Sequence, residues 1–189
     1  MERCGLLWRL AVMAVGITLL AACDAGNGPP ATPSPSASSS TASPPPACAA
    51  GSVSAAAIDL TLPTPSELRV NVFNGSDITG RELDVYVELG QRRFSMGASG
   101  TYANQPADLA ALLRYGPAGA GGAWLLRSFI RGPLRAEFVP DRTDAAVDVV
   151  VGTSYAGLYT TAEVNQRIPA AGSPPAPTAA CVDRDWMFV

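Results

Sequence analysis

Neither histidine nor lysine occurs anywhere in the 189 residues. Without histidine the chain lacks the side chain that most often serves as general base and metal ligand near neutral pH. Without lysine there is no Walker A phosphate loop and no Schiff-base chemistry. All thirteen basic residues are arginine, set against sixteen acidic ones, for a formal net charge of −3. A mildly acidic chain of this kind has no electrostatic footprint for nucleic acid. Long apolar runs are also missing. The stretch from Leu10 to Ala22 is too short, at roughly 1.5 Å per helical residue, to cross about 30 Å of hydrocarbon.

That short run lies behind Arg3 and Arg9 and closes on Leu20-Ala21-Ala22-Cys23. The tetrad resembles the lipobox of bacterial lipoproteins. The resemblance implies that the Cys23 sulfur takes a diacylglyceryl group and that residues 1–22 are removed as a signal peptide. An ordinary signal peptide is the alternative. The small pair before a cysteine, followed at once by Asp24 and a Pro/Ser tract, favours lipidation. Removal of residues 1–22 takes Glu2, Arg3 and Arg9, leaving 11 basic and 15 acidic side chains and a net charge of about −4.

Of the four cysteines, Cys4 leaves with the signal and lipidation consumes Cys23, so Cys48 and Cys181 remain. An even pair outside the cytosol is most simply a disulfide. Residues 25–47 hold Pro, Ser, Thr, Ala and Gly without charge, too little apolar surface to offset their ordering entropy, which predicts a flexible tether. The predicted organisation is a signal peptide over 1–22, a lipidated cysteine and Pro/Ser/Ala-rich tether over 23–65, one domain over 66–158, and a Pro/Ala-rich tail with Cys181 over 159–189.

Within the domain, Arg69 to Phe73 alternates as a strand and stops at the turn pair Asn74-Gly75. Thr79 and Glu82 have capping-box spacing, which predicts a helix start. Leu83, Tyr86, Val87 and Gly90 then recur at helical spacing, predicting a core face with Arg81, Glu88 and Arg92 outward. Phe94 to Ala98 reads as a second strand and Leu109 to Tyr115 as a third, broken at Gly116-Pro117. A second helix follows, with Gly122, Leu125, Leu126, Phe129 and Ile130 on one face and Gly132-Pro133 at its end. Leu134 to Val139 and Val147 to Val151 read as strands. Two strand-helix-strand units and a last strand predict an α/β (α+β) two-layer sandwich, about five strands with two helices on one sheet face.

Val70-Asn71-Val72-Phe73-Asn74-Gly75-Ser76 with Gly80, Arg114-Tyr115-Gly116-Pro117, and Val147-Asp148-Val149-Val150-Val151-Gly152 stand in the order of three elements of one family. On these residues the chain resembles the LytR C-terminal domain family. Departures are Arg93, where a glycine commonly precedes the aromatic of Phe94, and the bulky Trp124 in an Ala-rich helix. The resemblance implies an accessory, non-catalytic domain of the bacterial envelope, found at the end of wall-polymer transferases and alone in actinobacterial envelope-integrity proteins. The lysine-free, Ala/Gly/Pro-rich composition resembles high-GC actinobacterial coding. No transferase domain fits in this chain, so none of that domain's catalytic residues carries over.

Local motifs add no chemistry. Gly116 to Gly122 lacks a Lys-Ser/Thr ending and reads as a tight turn with small residues packing on the sheet. Ser154 has Ala156 where a nucleophile elbow needs glycine. Asp141, Asp144 and Asp148 lack calcium-motif spacing. No catalytic residue, cofactor or metal ligand is predicted. At 100° per residue Trp124 points away from the predicted helix core, flanked by Arg127 and Arg131, which makes these three a candidate binding surface for an anionic wall glycan or a partner protein. The alternative, favoured because large apolar patches are seldom left bare, is that the tail Trp186-Met187-Phe188-Val189 folds back over Trp124. The expected role is a lipid-anchored, non-enzymatic accessory protein on the extracytoplasmic face of the cell membrane, supporting envelope or wall assembly through envelope-assembly proteins. The second expectation is direct binding of peptidoglycan or wall polymer.

Overall fold

A computed structural model describes residues 47–104, 106 and 108–186. Cys23, the lipobox, most of the tether and Met187 to Val189 lie outside the described residues. In chain order the elements are β1 (Val53–Ser54), β2 (Arg69–Asn74), α1 (Arg81–Gln91), β3 (Ser95–Thr101), β4 (Ala111–Tyr115), α2 (Ala120–Leu126), β5 (Leu134–Phe138), β6 (Val147–Val151), α3 (Thr161–Ala171) and β7 (Cys181–Val182). Five strands form one sheet in the order β3-β2-β6-β4-β5, while β1 and β7 pair antiparallel as a separate ribbon. Two parallel strand-helix-strand units thus flank β6, which runs parallel to β2 and antiparallel to β4. The predicted five-stranded α+β sandwich is the observed architecture, with a third helix added.

Position in the sheet explains the burial of each strand. In β2, Val70 and Val72 are fully buried while Arg69, Asn71 and Phe73 are not. The central strand β6 is buried at every position, as is β4 except for Arg114. Strands covered on both sides lose the period-two alternation, which is why Leu109 to Tyr115 does not alternate in burial as its sequence predicts. Val147, Val149 and Val151 join Val70, Val72, Val85 and Leu89 in one core. On the alternate residues a polar link replaces apolar packing. Asn71 Nδ2 donates to Asp148 Oδ1 at 2.8 Å, and Arg142 grips the same carboxylate at 2.8 and 3.0 Å.

Helix α1 corrects the predicted face. Val85 and Leu89 are buried, whereas Leu83 is 54% and Val87 56% exposed. The capping box at Thr79 is also absent: Gly80, at φ 79°, is the N-cap and no side chain caps the helix. Only glycine enters that left-handed region freely, so the helix starts one residue later than the predicted cap. At the other end Arg93 has φ 68°. A side chain in that left-handed region is strained.

Helix α2 is shorter than predicted. It stops at Leu126, and Ile130 instead forms an antiparallel bridge with Leu158. Phe129 still reaches the core, edge-on to Phe94 with ring centroids 4.9 Å apart. The small residues at its start admit the incoming chain. Gly121 N donates to Asp59 O at 2.9 Å, and a Cβ on Gly121 would collide with the Thr61 carbonyl.

Past residue 158 the sequence reading has only a Pro/Ala-rich tail, yet α3 forms there. Its capping box is complete: Thr160 Oγ accepts from Glu163 N, and Glu163 Oε2 accepts from Thr160 N at 2.7 Å. Beyond it the chain returns to β1, where Cys181 is bonded to Cys48 across 133 residues with Cα atoms 5.7 Å apart. Trp186 then sits against Phe138 and Tyr115, at centroid distances of 5.1 and 6.3 Å. No helix among the described residues is long and apolar enough to cross a membrane.

Candidate functional site

The three residues of the candidate binding surface part company in the structure. Trp124 is not an outward platform, being 8% exposed, and its indole N–H donates to Gly172 O at 2.9 Å. Helix α3, which the predicted organisation assigns to the tail, ends beside the indole at Gly172. Arg127 follows it in part, with its guanidinium carbon 3.8 Å from the Trp124 ring centroid. Arg131, beyond the end of the helix, turns elsewhere. Its Nη2 donates to both oxygens of Glu163, at 2.6 and 2.9 Å, and its guanidinium lies 5.0 Å from the Tyr159 ring. The Thr160 hydroxyl and amide, with Arg131 beside them, hold the Glu163 carboxyl below its ordinary value.

Two arginines that no sequence motif marks stand near Arg127. Arg167, on α3, stacks on Tyr159 at 3.9 Å. Arg135, on the edge strand β5, shares with Arg127 and Arg167 the lining of a cavity of about 190 Å³ between the sheet and the helices. Burial, and then the charge of Arg167, push the Arg127 guanidinium below its ordinary value. The sequence signal for this grouping is weak. Arg127, Arg135 and Arg167 come from three different elements, and only the folding of α3 onto α2 assembles them.

The acidic turn around Asp141 and Asp144 serves the fold. Arg142 Nε donates to Asp144 at 3.1 and 3.2 Å and its two terminal nitrogens to Asp148, so one carboxylate of the turn and one of β6 are gathered on one guanidinium. Among the described residues no group of three carboxylate or cysteine side chains can hold a metal ion. Ser154 is an exposed turn residue after β6, its amide bonded to Leu109 O. Asn74 organises the first turn, accepting from Ser76 N at 2.9 Å and donating to Ile78 O at 2.7 Å.

The family model described as LytR cell envelope-related transcriptional attenuator matches residues 67–155, from the entry into β2 to just past β6. A solved structure, the soluble domain of a conserved hypothetical secreted protein from Mycobacterium marinum, is 29% identical, with 67% of this chain and 90% of that chain covered and a TM-score of 0.47. No curated protein matches the chain. Domains of the matched family are generally non-catalytic. Residues 67–155 of this chain thus match the LytR C-terminal domain family.

Proposed function

We propose that the protein is a lipid-anchored, non-catalytic accessory of the extracytoplasmic membrane face, which supports cell-envelope or cell-wall assembly and integrity by binding other proteins. The lipobox ending at Cys23 supports the anchor, and the uncharged tether supports a domain held away from the lipid. A disulfide closing 133 residues supports an oxidising compartment. The family's cell-envelope-related description supports the setting.

One observation carries binding to protein in particular. Of the four exposed large apolar side chains among the described residues, Ile78, Leu83 and Val87 fall within ten residues of one another, and only Leu62 lies elsewhere. Leu83 and Val87 are one turn apart on the outer side of α1, with the exposed Asp84 beside them. Branched aliphatic side chains offer no aromatic face to a sugar ring. They fit the apolar centre of a protein interface, and Asp84 suits a partner with a basic rim. Crosslinking in cells, set beside sedimentation of the protein with purified walls, tests this reading. Protein adducts through α1 without wall pelleting support it; pelleting without adducts favours direct polymer binding and contradicts it.

A further inference from the structure

The arginines of the domain fall into distinct groups by their partners. Arg114, Arg131 and Arg142 each pair with a carboxylate at 2.6–3.2 Å. Among the described residues Arg127, Arg135 and Arg167 make no ion pair, and all three line the cavity of about 190 Å³, to which no described carboxylate contributes. The rest of the lining is largely apolar, including Leu113, Ile130 and Leu134. Arg127 Nη1 is excluded from solvent and has no hydrogen-bond partner among the described residues. Leaving such a donor unmet is costly, and gathering like charges beside it adds to the cost. Two of the guanidiniums are also held in plane, Arg127 on Trp124 and Arg167 on Tyr159. Stacking of this kind fixes the fork before a ligand arrives.

We propose that this cavity binds a phosphate headgroup carried on an apolar stem. Guanidinium forks match phosphate oxygens, and a phosphate monoester with about −1.5 to −2 charge balances three cations where a single carboxylate leaves most of the charge unmet. The apolar lining takes the first carbons of the stem. The cavity is smaller than the roughly 300 Å³ at which sites for drug-sized ligands begin, so it admits a head and a short stem but not a length of glycan. Arg127, Arg135 and Arg167 are the phosphate ligands. The site is separate from Leu83 and Val87 on α1, and the proposal stands whether or not those residues bind protein.

Butyl phosphate titrated calorimetrically into the full chain, held in a non-ionic maltoside, is the test. Saturable one-to-one binding is expected, weakened at least about tenfold by Arg127→Gln or Arg167→Gln through loss of a charge-assisted contact. Arg114→Gln, whose side chain pairs with Glu137 outside the cavity, leaves the affinity unchanged. Inorganic phosphate is expected to bind more weakly than butyl phosphate and butyl glucoside not at all. Equal affinity for inorganic phosphate overturns the apolar stem. Absence of saturable binding by either phosphate overturns the site. Should Arg127→Gln fail to fold, Arg135→Gln and Arg167→Gln change exposed side chains and decide the matter, since unchanged affinity in both refutes the cluster.

Discussion

Replacing Trp124 by alanine tests whether α3 is an integral layer of the domain. The indole is almost fully buried, its ring is stacked by Arg127, and its N–H reaches Gly172 O just beyond α3. Truncating a buried aromatic to alanine costs about 3–5 kcal/mol. At about 2–4 °C per kcal/mol for a chain of this size, the melting temperature is expected to fall by roughly 10 °C. Trp124→Phe keeps most of the packing and forfeits the hydrogen bond, for about 1 kcal/mol. Urea unfolding with the disulfide intact gives both values. Hydrogen exchange locates the damage, with faster exchange across 164–171 expected in the alanine variant and little change in β6. A Trp124→Ala protein within about 0.5 kcal/mol of wild type, the range of an ordinary surface substitution, would refute the account of α3 as a cover.

Three further outcomes are expected. Reducing Cys48–Cys181, or replacing both by serine, should lower stability by about 4–5 kcal/mol, because the bridge closes 133 residues; an unchanged urea midpoint on reduction would show that the bridge constrains little. Arg93→Gly should raise stability by up to about 1 kcal/mol by relieving a side chain at φ 68°, and a loss of stability in chemical unfolding would locate a contact of Arg93 that outweighs the strain. Burial lifts the Tyr115 phenol above its ordinary value of 10.0. The folded state therefore holds that proton longer than the unfolded one, so the stabilisation is whole below pH 10 and declines above it, at up to about 1.4 kcal/mol per pH unit. Tyr115→Phe should flatten this decline in urea titrations between pH 9 and 11, and an identical slope in the variant would assign the alkaline loss to other groups.

Where local physics and tertiary packing agree, the chain is readable residue by residue. The strands at Arg69, Leu134 and Val147 lie where β-branched and apolar runs meet turn residues, and a five-stranded sandwich follows from their order. The register of α1 is not readable in the same way. Leu83 and Val87 have helical spacing, but so do Val85 and Leu89, and packing into the core takes the second pair. Helix α3 carries a legible signal in Thr160 and Glu163, the spacing of a capping box. Pro169 and the Pro/Ala stretch after it argue for tail, and tertiary burial of Val164 overrides them. The candidate site suffers most from that omission. Trp124 and Arg127 are visible from α2 alone, whereas Arg167 enters only once α3 exists, and Arg131 leaves the group because α2 ends at Leu126 and Glu163 takes its charge.

The claim that the domain works by holding a protein partner is tested most directly by a photo-crosslinking amino acid placed at Val87 in living cells, with a second placed at Arg135 on the edge strand. Val87 lies on the outer side of α1 and more than half of it is exposed, so a crosslinker there leaves the fold intact. The account expects discrete, protease-sensitive adducts from position 87, lost when Leu83→Glu is added and absent from position 135. Adducts that survive protease but dissolve with muramidase, or equal protein adducts from both positions, would contradict it.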